Sequence, residues 1–295
     1  MAQLSPRAPV RTGKIDSQVH VWRADSPRHA WPADAANYLR DTAVLSSAAR
    51  TPLGGDELIA TLDAHDISGA ILVPPVFAGD DNSYAIATAE AHPERFRVMG
   101  RVPLEEAAGR AELEAWSDHP NIVGARLTFF WPRHREQLEA GDADWIWQYA
   151  EENGIPIAVL APGLLREIGE VARRHPGLRL IIDHFGMDLE LKDDAALASI
   201  PQLLELARFD NIAVKASTLP SYVTETYPFP SLADPIRRVV DAFGARRVFW
   251  GSELTRLPVP YDDAIRHITE ALPFLSDEDR DWIMGRGIRE WTGWA

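Results

Sequence analysis

The stretch Ala143–Asp183, ADWIWQYAEENGIPIAVLAPGLLREIGEVARRHPGLRLIID, decides the fold. Ala143–Asn153 sets apolar residues at helical spacing and stops at Asn153-Gly154. Pro156–Leu160 is a short apolar run of the kind that forms a buried strand. Leu164–His175 is helical again, His175-Pro176-Gly177 ends it, and Leu178–Asp183 is a second buried strand. The order helix, strand, helix, strand with short punctuated joints is that of a parallel α/β sheet.

The same rhythm runs outward in both directions. Strands are predicted at Lys14–Trp22, Gly69–Pro74, Phe96–Val102, Val123–Phe129, Asn211–Ala216 and Arg247–Gly251, with helices at Glu57–His65, Ala107–Trp116, Leu197–Ala207, Leu232–Phe243 and Tyr261–Leu272. Eight strands in alternation with about eight helices predict a closed (β/α)8 TIM barrel rather than an open doubly wound sheet. The reading gives one barrel domain over residues 14–295 after a flexible N-terminal arm over 1–13. Two long connections, Arg23–Gly54 and Ser217–Ser231, fall at the C-terminal mouth, where barrel sites form.

Composition narrows the function. The chain has 295 residues and 30 − 44 = −14 formal charges, which disfavours nucleic acid as a partner. The absence of cysteine removes disulfides, thiolate metal sites and a cysteine nucleophile. No apolar stretch approaches a membrane span of ~18 residues, and the N-terminus lacks the apolar core of a signal peptide, so a soluble cytoplasmic protein acting on a small molecule is expected. There is no Walker loop, dinucleotide fingerprint, GxSxG elbow or HExxH motif. Trp282, Trp291 and Trp294 are expected to pack the C-terminal tail on the barrel. Exposed tryptophans elsewhere would favour a homo-oligomer.

Chemistry-bearing residues gather at predicted strand ends. Alternation along the first strand puts Asp16, Gln18, His20 and Trp22 on one face, too polar for ordinary core. His20 and Gln18 then either face a site or form a satisfied polar ladder. His184 ends the sixth strand beside Asp183, as a catalytic or ligating group or as a hydrogen-bonded core histidine. Glu253 ends the eighth strand, where burial would raise its pKa and suit it to act as a base, or where it would pair with Arg256. Arg126 and Arg133 offer planar forks for a carboxylate, or an internal pair and a solvated loop residue respectively. Lys215 binds an anion or pairs with a neighbouring carboxylate. Trp22, Trp131 and Trp250 are candidates to line a pocket for a flat or cyclic ligand. The other histidines, His267 among them, read as surface residues.

The blocks IDSQVHVW, GARLTFF, IIDHFG, NIAVKAS, RVFWGSELTRLP and IMGRGIREWTGW together resemble the amidohydrolase-related family, the branch often called amidohydrolase 2. That branch includes sugar-lactone hydrolases, a pyrone-dicarboxylate lactonase and aromatic-acid decarboxylases. The resemblance spans Ile15 to Trp294 and implies a distorted (β/α)8 barrel with its site at the C-terminal mouth. Three positions depart from the family pattern. Gln18 precedes His20 where the pattern has His-x-His, the fifth strand ends Ala-Val-Leu-Ala-Pro without a histidine, and Glu253 replaces an aspartate, a reach longer by about 1.5 Å.

The resemblance implies a hydrolase of a small carboxylated or polyhydroxylated lactone. Glu253 would deprotonate water, while His20, His184 and Gln18 would donate to the carbonyl. Arg126, Arg133, Lys215 and Arg256, with Trp22 and Trp131, would hold the substrate. No tightly held metal is expected. A zinc ion on His20, His184 and Glu253 is the alternative. Metal-assisted decarboxylation of an aromatic or unsaturated acid and a non-catalytic ligand-binding barrel are the other readings.

Overall fold

A computed structural model of the chain describes residues 13–32 and 52–294. The expected arm, apart from Gly13, and residues 33–51 of the first long connection lie outside the described residues.

Eight strands form the sheet: β1 Lys14–Val19, β2 Ile67–Leu72, β3 Phe96–Arg101, β4 Ile122–Thr128, β5 Ile157–Leu160, β6 Leu180–Ile182, β7 Ile212–Ser217 and β8 Val248–Gly251. They pair in sequence order, every pair parallel. Helices cross between them on the outside, which is the (β/α)8 barrel expected from the alternation. Most helices end close to where the sequence places them, but the one expected over Leu197–Ala207 is broken into Asp193–Leu197 and Ile200–Glu205. Gly154 takes a left-handed conformation at φ 65° and closes the helix Asp144–Asn153. The helix Leu165–Arg174 buries Leu165, Ile168, Val171 and Ala172, a stripe at helical spacing.

Strand parity divides the core in two. Ile15, Ile71, Met99, Ala158, Ile181, Ala213 and Phe249 meet inside the barrel, and Ile288 and Trp294 from the C-terminal segment close them from below. The alternate residues, such as Val19, Leu127, Val214 and Trp250, pack outward under the helices. Trp250 therefore faces away from the mouth and packs against Tyr261, 6.0 Å between ring centroids, which corrects its expected place in a pocket. Trp282 and Trp294 are buried, and Leu191 is the one large apolar side chain exposed among the described residues.

Two features shape the mouth. In β1, Asp16 pairs with Ala70 and Val19 with Leu72, three steps against two, so a bulge interrupts the alternation. Asp16 is turned to the outer side, where its carboxylate accepts from Tyr261 Oη on the helix Tyr261–Thr269. The expected common face of Asp16 with Gln18 and His20 is broken there. Among the described residues no ladder joins β8 back to β1. The seam is closed by Glu253 N donating to Gln18 O at 2.8 Å. Gly251 lies so close to β1 that a Cβ there would sit 2.9 Å from that of Gln18.

Candidate active site

Above the apolar floor the inward positions turn polar. Gln18, Arg126, Asp183 and Lys215 are all buried. Lys215 Nζ donates to Gln18 Oε1 at 2.7 Å and lies 3.1 Å from Asp183 Oδ1. The other oxygen of Asp183 takes Arg126 Nε at 3.1 Å. Burial alone would raise the Asp183 carboxyl, but Lys215 and Arg126 beside it hold it below the ordinary carboxylate range. Burial also lowers the Lys215 ammonium.

The next tier carries the convergence the sequence pointed to. His20 Nδ1 lies 2.6 Å from Val73 O, just beyond β2, and its Nε2 lies 3.2 Å from Glu253 Oε1. Glu253 sits in a left-handed turn (φ 51°, ψ 51°) directly after Gly251-Ser252. Its second oxygen meets Arg256 Nη1 at 2.9 Å and His184 Nε2 at 3.5 Å. The sequence predicts a raised carboxyl here. Burial does push Glu253 up, but Arg256, then His184 and His20, outweigh it and hold the carboxyl well below its ordinary value. Burial pushes His184 down to about 4, and its Nδ1 lies 2.7 Å from Ser217 Oγ.

A small, partly open cavity lies over this tier. Its floor is made by His20, Glu253, Arg126 and Arg256, and its walls by Trp22, Phe77, Trp131, Leu160 and Leu189. Arg126 gives Nε to Asp183 and Nη1 to Thr128 Oγ1 at 2.8 Å, leaving its remaining nitrogen without a partner among the described residues.

Several expected contributors stand elsewhere. His184, Gln18 and Lys215 do not border the cavity. His184 Nδ1 meets Ser217 Oγ, Gln18 Oε1 takes Lys215, and Lys215 is an internal counter-ion for Asp183. Arg133 is exposed near the start of the helix Pro132–Ala140 and is not among the lining residues. His267, read as a surface residue, is buried with Nδ1 3.0 Å from Pro228 O. Sequence reasoning missed Arg101, which pairs in register with Arg126 and shares Thr128 Oγ1 at 3.3 Å. Its inward parity with Met99 was the available signal.

The zinc alternative is testable on the donors themselves. His20 Nε2, His184 Nε2 and Glu253 do converge. However, Glu253 is already neutralised by the Arg256 guanidinium on the oxygen that faces His184. A divalent ion there would meet a cation at touching distance in a buried space. Among the described residues no group of three or more His, Asp or Glu side chains is arranged to hold an ion. As they stand, these residues do not fit a zinc centre.

With this geometry in hand, comparison with known proteins adds kinship. The profile of the amidohydrolase family matches residues 15–290. An L-fucono-1,5-lactonase of Burkholderia ambifaria is 27% identical over 212 residues, 68% of this chain and 69% of its own. A solved amidohydrolase of Burkholderia multivorans with bound zinc superposes with a TM-score of 0.80 at 23% identity, covering 95% of this chain and 99% of that one. A probable 2-pyrone-4,6-dicarboxylic acid hydrolase of Acinetobacter baumannii, solved with citric acid bound, gives 0.72 at 18% identity, covering 96% and 100%.

Proposed function

The chain belongs to the amidohydrolase family, and from that premise we propose that it hydrolyses a small lactone bearing a carboxylate, water attacking the ring carbonyl. The observation that carries this reading is the His20–Glu253 contact on the floor of a small aromatic-walled cavity, 3.2 Å between Nε2 and Oε1, with the open side of Arg126 beside it. The similarity to lactone hydrolases supports the bond class.

Glu253 alone is too acidic to be an effective base. His20 supplies what it lacks. Val73 O only accepts, so Nδ1 of His20 carries a hydrogen, and Nε2 and the ionised Oε1 of Glu253 are both acceptors that need a proton between them to bond. A proton taken from the attacking water comes to rest between Nε2 and Oε1, held by both groups. When the tetrahedral adduct collapses, the ring C–O bond breaks and the same proton passes to the leaving oxygen, giving a hydroxy acid.

Charge accounts for the rest. Arg126 and Arg256 at the cavity and Lys215 beneath it are buried against two carboxylates, Asp183 and Glu253. That excess of positive charge, in a low-dielectric space, favours both an anionic substrate and the oxyanion. Arg126, with an unspent donor at the wall, takes the substrate carboxylate, and Arg256 faces the developing charge. Trp22 and Trp131 cover the ring. His184 and Lys215 act from behind, His184 through Glu253 and Lys215 through Asp183.

Bound zinc in a fold neighbour supports the metal-assisted alternative, and elemental analysis separates the two. The test of the reading itself is a panel of five- and six-membered lactones, carboxylated and neutral, followed by acid release in a pH-stat. Opening of carboxylated members is expected. Release of carbon dioxide from aromatic acids, with no lactone opened, would favour the decarboxylase reading.

A further inference from the structure

The outer face of the seam between β8 and β1 holds a group that the reaction does not use. Asp16 is fully buried, outside the barrel and away from the cavity. One of its oxygens, Oδ1, accepts from Ser252 N at 2.8 Å and from Gln18 N at 3.2 Å. The other, Oδ2, accepts from Ser252 Oγ at 2.5 Å and Tyr261 Oη at 2.9 Å. The two backbone amides on Oδ1 belong to the two chain segments that carry the site. Gln18 lies two residues before His20, and Ser252 immediately precedes Glu253.

We propose that Asp16 is the positioning residue of the His20–Glu253 pair, a carboxylate clasp that stands in for the missing ladder and fixes the spacing of the two side chains. The clasp acts where nothing else is regular. β1 is bulged between Asp16 and Val19, Glu253 is in the left-handed region, and one backbone hydrogen bond, Glu253 N to Gln18 O, crosses the seam at this level. A single carboxylate oxygen bonded to both segments converts that one-bond crossing into a triangle. An error of an ångström in such a pair is worth about 100-fold in rate. The groups facing Asp16 are the hydroxyls of Ser252 and Tyr261 and the amides of Gln18 and Ser252, and no charged side chain of the described residues pairs with it. Burial raises its carboxyl to about 6, so the clasp loosens as pH falls through that value.

This inference rests on the catalytic reading of His20 and Glu253, and the experiment keeps the two apart. Asp16→Asn places an amide donor against donors. Nitrogen-15 NMR of the imidazole rings reads His20 Nε2 without any substrate. Turnover is measured on whichever member of the lactone panel the wild type opens. The expected result is a shifted Nε2 resonance, kcat lower by about 100-fold, KM within about threefold, and a changed acid limb of kcat. A structural role alone would lower the melting temperature and leave the resonance and the pH profile as they were, and that result overturns the proposal. If Asp16→Asn does not fold, Tyr261→Phe and Ser252→Ala, which each remove one donor from the clasp, decide by the same readouts. A wild type that opens no lactone would refute the catalytic reading while the NMR result still decides the role of Asp16.

Discussion

Nδ1 of His20 lies 2.6 Å from the carbonyl oxygen of Val73, and this contact fixes which ring nitrogen meets Glu253. The bond ties the C-terminal ends of two neighbouring strands and leaves Nε2 as the only lone pair the imidazole can offer. Nitrogen-15 spectra are expected to show Nδ1 protonated at neutral pH. A ring protonated at Nε2 alone would refute the assignment.

Replacing Glu253 by Gln keeps an acceptor for Arg256 and removes the charge that shares the proton. We expect kcat to fall by about 10² to 10⁴ with native circular dichroism retained. Full activity on the true substrate would end the acid–base assignment.

Arg126→Met separates acidic from neutral substrates. Carboxylated lactones should lose about 100-fold in kcat/KM while neutral ones change by less than about fivefold. Lys215 continues to neutralise Asp183, which limits the cost to folding. Equal losses on both classes would move Arg126 from carboxylate binding to the ring carbonyl.

Stability should decline between pH 6.5 and 5. His184 and His267 are held down to about 4 by burial, below their ordinary 6.5. In this window the unfolded chain takes up their protons and the native chain does not, so their contribution is present above 6.5 and lost as pH falls, by up to about 2 kcal/mol each. Asp16 opposes them. Its folded value of about 6 exceeds the ordinary 3.8, so acidification protonates the native form first and adds stability. Two groups outweigh one. Urea midpoints of His267→Gln should therefore vary less with pH than those of the wild type, and an unchanged slope would contradict the burial argument for His267.

Metal content gives the fifth test. Arg256 already neutralises Glu253, so purified protein is expected to hold well below one equivalent of zinc and to keep its activity after chelation. One tightly held equivalent whose removal abolishes turnover would mean that Arg256 swings away and that the three donors close on an ion.

Legibility in the sequence followed periodicity. All eight strands were readable because each is a short apolar run between turn residues, and parity along the first strand put Gln18 and His20 on one face, which is the inward one. Parity failed at Asp16, where the bulge adds a residue that no composition signal marks. The same alternation turns Trp250 outward, since its neighbour Phe249 faces in. The direction of the Glu253 shift depends on how closely Arg256 returns over its own turn, a distance set by one left-handed residue. Arg133 and Arg126 look alike in sequence, and only burial tells the internal fork from the solvated one.

The surplus of cations around the cavity sits inside a molecule of formal charge −14. An acidic substrate thus meets opposing fields in succession, repulsion in the open solvent and attraction once past the rim. Salt erases the first over a Debye length of about 8 Å and barely touches the second. Encounter with an anionic lactone should accordingly quicken as ionic strength rises, the reverse of the behaviour of an enzyme whose outer surface recruits its ligand.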